Sequence, residues 1–193
     1  MSTSEEIAGI AARLVVEEGM EYAAAKRKAA RDFGSRPDLP SDEQVEDAVR
    51  EHIALFCADT QPAELRALRQ AALTWMQGLA EFRPHLSGAA WRGTATRLSP
   101  VALDLYCDDP KAAEIALINA GVDYDVASLN RPSREPLSVL VVSERSAALG
   151  EPVTLHLKLH DLDDQRGALK PDAGGRSWRG DLAALQRLLQ AEP

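Results

Sequence analysis

The side chains best placed by type and spacing to do chemistry lie in one stretch, residues 91–109. It holds a Gly-Thr pair, Gly93-Thr94, followed by an alternating run in which Val101, Leu103, Leu105 and Cys107 interleave with Ala102, Asp104 and Tyr106. A glycine lets backbone approach a phosphate closely, and the amide and hydroxyl beside it can donate to phosphate oxygen. Arg92 and Arg97 flank the pair. Two further segments matter. In 152–160, Thr154, His156, Lys158 and His160 share one face of an alternating strand. In 166–180, Arg166, Lys170, Arg176 and Arg179 accompany Trp178 in a glycine-rich, locally basic tract. It is not a P-loop, because no Gly-Lys-Ser/Thr follows a strand.

Period and punctuation predict the elements that hold these residues. Residues 5–32 are rich in helix formers, with Gly19 and Gly34 as breaks. Ser41 with Gln44 reads as a capping box opening a helix whose apolar stripe is Val45, Val49, Ile53 and Phe56. Leu65, Leu68, Ala72, Trp75, Leu79 and Phe82 form a packing seam on a further helix. The period then shifts. Strands are predicted at 88–95, 101–107, 122–129, 137–143 and 152–160, with one helix between the second and third, opened by Asp109-Pro110 and closed near Gly121. A polar stretch at 161–180 leads to a last helix capped by Asp181. The expected fold class is α+β: N-terminal helices, then a mixed sheet with flanking helices. The expected division is a helical region at 1–83 and a mixed α/β region at 84–193.

Strand, Gly-Thr turn, strand and acidic exit, in that order, resemble the minimal nucleotidyltransferase domain of the DNA polymerase β-like superfamily over roughly residues 65–160. In that family a Gly-Ser pair closes the first strand, the next strand carries Asp-x-Asp, and a later strand supplies a third carboxylate. The carboxylates hold two metal ions that clamp a triphosphate for in-line displacement. The resemblance implies that Gly93 and Thr94 match the Gly-Ser pair and that Asp104 matches one aspartate, as metal ligand and catalytic residue for Mg²⁺. Ala102 stands where the other aspartate would be, and His156, Lys158 and His160 stand where a third carboxylate would be. Arg92 and Arg97 would then contact phosphates, and Lys158 would replace a metal or a carboxylate. The implied function is a nucleotidyltransferase-like protein that binds a nucleoside triphosphate, with transfer of a nucleoside monophosphate if the site is active.

Other readings of these residues stand beside this one. Asp104 can be an exposed strand residue paired with Lys158, worth about 0–1 kcal/mol. Asp108-Asp109 can be a helix cap, and Asp161-Leu162-Asp163-Asp164 a solvated turn. His156 and His160, four residues apart on a strand, cannot chelate one metal. His52 reads as a core or boundary histidine, and His85 has no evident partner in the Pro84 turn. The rival function is a non-catalytic interaction or regulatory protein with the helical region as its protein-partner surface. A net charge of −8 argues against an extended nucleic-acid surface. No apolar run reaches membrane-spanning length, and the polar start, Met1-Ser2-Thr3-Ser4-Glu5-Glu6, is unlike a signal peptide. Cys57 and Cys107 form no CxxC. A reduced, cytoplasmic protein is the expectation.

Overall fold

A computed structural model describes residues 2–192. The chain divides into two compact units, residues 1–63 and 64–193, each with its own core.

The first unit contains α1 (Thr3–Glu18), α2 (Tyr22–Ala29) and α3 (Asp42–Phe56). Ser2 and Glu5 form a capping box on α1, and Ser41 and Gln44 form another on α3. Such caps contribute about 1 kcal/mol each by satisfying amides that the first turn leaves open. Gly19 ends α1 in the left-handed region, φ 67°, with its N–H on the Val15 carbonyl. The core joins Ile7, Ala11 and Leu14 to Val45, Val49 and Ile53. Phe56 departs from the predicted stripe: it is 71% exposed, and its ring lies tilted against His52 at 4.7 Å. Within this unit nothing covers the last turn of α3, so the stripe outruns its packing partner.

The second unit is a six-stranded mixed sheet with helices. Gln61–Gly78 form α4, which starts at the unit boundary, and a 3₁₀ turn follows at Ala80–Phe82. Then come β1 (His85–Ser87), α5 (Gly88–Arg92), β2 (Val101–Tyr106), α6 (Pro110–Asn119), β3 (Asp125–Arg131), β4 (Arg134–Arg145), β5 (Pro152–His160), β6 (Arg179–Gly180) and α7 (Leu182–Ala191). The strand order is β3-β4-β5-β2-β1-β6. Only β2 and β5 run parallel; the other pairs are antiparallel. Of the predicted seam, Leu68, Ala72, Leu79 and Phe82 share one core with Leu86, Leu103, Leu105, Leu140, Leu155 and Leu157; Leu65 and Trp75 are only partly buried against it, and Met76, outside the predicted stripe, is fully buried in it. A fully buried leucine contributes about 1.5–3 kcal/mol, so this layer dominates the unit's stability. α6 is capped by Asp109 with Pro110 in its first turn, as its sequence predicts, and Asp181 caps α7.

Two predictions change. Residues 88–95 are not a strand. The strand is β1, at 85–87; Gly88 then turns the chain at φ 68°, and residues 88–92 coil into α5. A short apolar run fits either period, and here Ala89-Ala90-Trp91-Arg92 take the helix. The stretch 161–180 is not loop throughout: its last two residues pair with β1 as the edge strand β6. Trp91 fixes that edge. Its Nε1 donates to the Ser177 carbonyl at 2.9 Å, and its ring lies against Gly180 so closely that any Cβ there would collide with Cη2, Cζ3 and Cε3. Glycine at 180 is a packing requirement, since only a residue without a side chain admits the indole.

No helix among the described residues is long and apolar enough to cross a membrane.

Candidate functional site

β2 is buried along its whole length. Val101, Leu103 and Leu105 face the helices; Ala102, Asp104 and Tyr106 point to the opposite face, since side chains alternate along a strand. Register brings three neighbours to Asp104. His85 of β1 sits directly opposite it, Lys158 of β5 pairs with it on the other side, and His160 pairs with Tyr106. From β6, paired to β1, comes Arg179.

These side chains form a connected polar cluster. His160 Nε2 donates to Asp104 Oδ1 at 2.8 Å. Arg179 Nε lies 3.6 Å from Asp104 Oδ2, and its guanidinium donates to the Tyr106 hydroxyl at 2.9 Å. The Tyr106 ring stacks on His160 at 5.2 Å and meets His85 edge-on at 5.2 Å. His85 Nδ1 donates to the Arg83 carbonyl at 2.8 Å, and Arg83 takes φ 50° to present it. The Lys158 side chain makes no hydrogen bond or ion pair among the described residues, and its ammonium acts on Asp104 only through space.

Electrostatics follow from the geometry. Asp104 is only 3% exposed, and burial pushes its carboxyl upward. The hydrogen bond and charge of His160, with Arg179 and Lys158 behind them, outweigh burial and hold it below the ordinary carboxylate value. Tyr106 is held above the usual phenol value by burial and by the Asp104 charge, with Arg179 opposing. At the strand's exit, burial and the Asp109, Asp108 and Asp161 charges push the Cys107 thiol up. A raised thiol carries less of the thiolate that acts as a nucleophile.

The residues expected to bind a nucleotide separate into two groups. Asp104 and Lys158 lie side by side. Asp104 is neither exposed nor merely opposite Lys158: His160 is its hydrogen-bonding partner, because the parallel β2–β5 pairing slides His160 within reach. Gly93 and Thr94 do not close a strand. They form the C-terminal cap of α5, and both amides donate to the Ala89 carbonyl, at 2.9 and 3.0 Å. Gly93 takes φ 87°, and the Thr94 hydroxyl is buried without a hydrogen bond. Those amides are spent on the cap. Arg97 is tied to Glu151 at 3.2 Å, while its backbone N–H binds Glu64. Arg92 lies under the Trp178 ring, 5.8 Å from its centroid.

Sequence reasoning named His160, Tyr106, His85 and Arg179 but assigned none of them to the site. Alternation in 152–160 already set His160 on Lys158's face, but nothing local joined that strand to Asp104. Arg179 stood inside the basic tract without a sign that its end was a strand.

The donor set does not suit a pair of Mg²⁺ ions. Asp104 is the cluster's one carboxylate; one of its oxygens is committed to His160 and the other faces Arg179. Hard divalent cations need several oxygen ligands and repel neighbouring cations. Among the described residues no group of three or more His, Cys, Asp or Glu is arranged to hold a metal. Asp164, in the acidic turn, pairs with Arg134 at 2.9 Å instead.

No family model, curated protein or solved structure matches the chain.

Proposed function

We propose that the chain is a nucleotidyltransferase-like protein that binds a nucleotide without transferring its nucleoside monophosphate. The observation that carries this reading is the charge around Asp104. The face that would hold metal-bound carboxylates carries Lys158, Arg179 and His160 around a single, already paired aspartate. Lys158 and Arg179 supply the positive charge that metal ions would otherwise bring to a phosphate, and among the described residues Lys158 has no anion within ion-pairing distance. His160 and Asp104 then act as a positioning pair: the carboxylate orients the imidazole, whose Nδ1 has no partner among the described residues.

Thermal unfolding with each of the four nucleoside triphosphates, with and without Mg²⁺, tests this. A triphosphate at about 100 times its Kd should stabilise the protein by about 2.7 kcal/mol. The shift is expected without Mg²⁺ and lost in Lys158→Ala and Arg179→Ala. A shift that requires Mg²⁺ and vanishes in Asp104→Ala would return the chain to transferase chemistry. No shift with any triphosphate would sink the reading.

In that last case a second reading stands, a protein-interaction role for the helical unit. It is favoured by Leu55 and Phe56, 75% and 71% exposed at the end of α3.

A further inference from the structure

The edge of the sheet holds a cavity of about 240 Å³ that the cationic face does not use. It lies where the end of α4, the start of β1, the turn after β5 and the start of α7 come together, and Met76, Leu169 and Leu182 give it apolar walls. Its polar lining comes from His85, Asp181, Gln165 and Arg83.

His85 is the informative group, being 4% exposed. Its Nδ1 is committed to the Arg83 carbonyl, which can only accept. The neutral ring therefore carries its lone pair on Nε2, and Nε2 has no partner among the described residues. Nε2 is not among the atoms sealed from solvent, so this unpartnered acceptor reaches open space, and a polar group of that kind in a cavity wall is a place for a ligand donor. Arg83 is held in the left-handed region to fix this arrangement, and non-glycine residues in such conformations concentrate at ligand sites. Asp181 spends one carboxylate oxygen on the Ala184 amide and keeps the other. Opposite these acceptors, Gln165 accepts from Arg83 at 3.3 Å, which leaves its amide N–H groups to donate.

We propose that this cavity binds a small planar nitrogen heterocycle that donates to His85 Nε2 and Asp181 and accepts from Gln165. Under the nucleotide reading, on which only the identity of the heterocycle rests, it is the base. The size agrees: the volume lies below the roughly 300–1,000 Å³ of drug-sized pockets and suits one or two fused rings. The His85 ring also touches Tyr106, which stacks on His160, so an occupant would abut the rings that lead to Asp104.

The test uses 2-aminopurine, a fluorescent base without phosphate, titrated into the full chain. Saturable quenching is expected. Leu169→Trp fills the cavity from a half-exposed loop position, and His85→Phe keeps the contact with Tyr106 while removing both ring nitrogens. Each should weaken binding at least tenfold, with cooperative unfolding retained. No saturable quenching up to millimolar concentration would overturn the proposal, as would wild-type affinity in both variants. Inorganic tripolyphosphate, titrated in parallel, reports on Lys158 and Arg179 alone, so the cavity and the cationic face can fail separately.

Discussion

His160→Ala is expected to cost about 3 kcal/mol at pH 7, the upper end of the range for removing a hydrogen bond to a buried charge. The loss arises at Asp104 rather than at His160. Oδ1 loses its only hydrogen bond, Oδ2 has none, and Arg179 at 3.6 Å remains as partial compensation. The dependence on pH follows from the sign of the Asp104 shift. In the native protein its carboxyl lies below the unfolded value of about 3.9. The unfolded chain therefore binds more protons through the acid range, and the stability this group contributes is present above that value and lost as pH falls through the folded one. In the variant the two largest influences lowering the carboxyl are gone, and burial, which raises it, is opposed only by Arg179 and Lys158. Protonation then relieves the buried charge. The penalty should be largest near neutrality and shrink below about pH 4. Urea denaturation of both proteins at pH 3 and pH 7 measures it. A penalty under about 1 kcal/mol at pH 7 would mean that Asp104 does not depend on His160. His160→Gln, which keeps an N–H donor without the charge, separates hydrogen bonding from charge.

Arg69→Leu is expected to cost still more, about 4 kcal/mol. Arg69 is buried at the centre of a clasp. Nε donates to the Ala90 carbonyl at 2.8 Å, a second nitrogen donates to the Trp91 carbonyl at 3.1 Å, and a third pairs with Glu192 beyond the end of α7. Leucine leaves the Ala90 and Trp91 carbonyls without that donor and Glu192 with Arg66 alone, at 3.4 Å. At roughly 2–4 °C per kcal/mol for a chain of this length, Tm should fall by about 10 °C. A double-mutant cycle with Glu192→Gln should show coupling of at least about 1 kcal/mol. Additive effects would show that the two side chains do not interact.

The fold was legible wherever a single segment carried the whole signal. Ser41 with Gln44, Asp109 with Pro110, and the alternation in 101–106 and 152–160 each act within one element, and each predicted element is present. β1 and β6, three and two residues long, had too little sequence to show a period. They exist because β2 offers an edge to pair with and Gly180 admits Trp91. The candidate site was half legible for the same reason. Asp104 and Lys158 stand out by type and strand phase. His160, Tyr106, His85 and Arg179 join them only through strand order, which no local pattern encodes. Gly93-Thr94 follow a helix rather than the expected strand because a helix cap and a strand-end turn ask for the same residues; the shared Ala89 acceptor tells them apart.

The single parallel pair also has a kinetic meaning. β3, β4 and β5 form one antiparallel meander and β1 and β2 another, each closed by contacts near in sequence. Between them, Val101 pairs with Leu155 only after the intervening chain has been ordered, and long loop closures of that kind slow folding. Asp104 and His160 stand on either side of this junction. Asp104 and His160 therefore meet only when this long closure is made, and in a stopped-flow refolding experiment any ligand bound at that face should be recaptured no earlier than β2 docks on β5. Ligand capture ahead of β2–β5 docking would reverse that order.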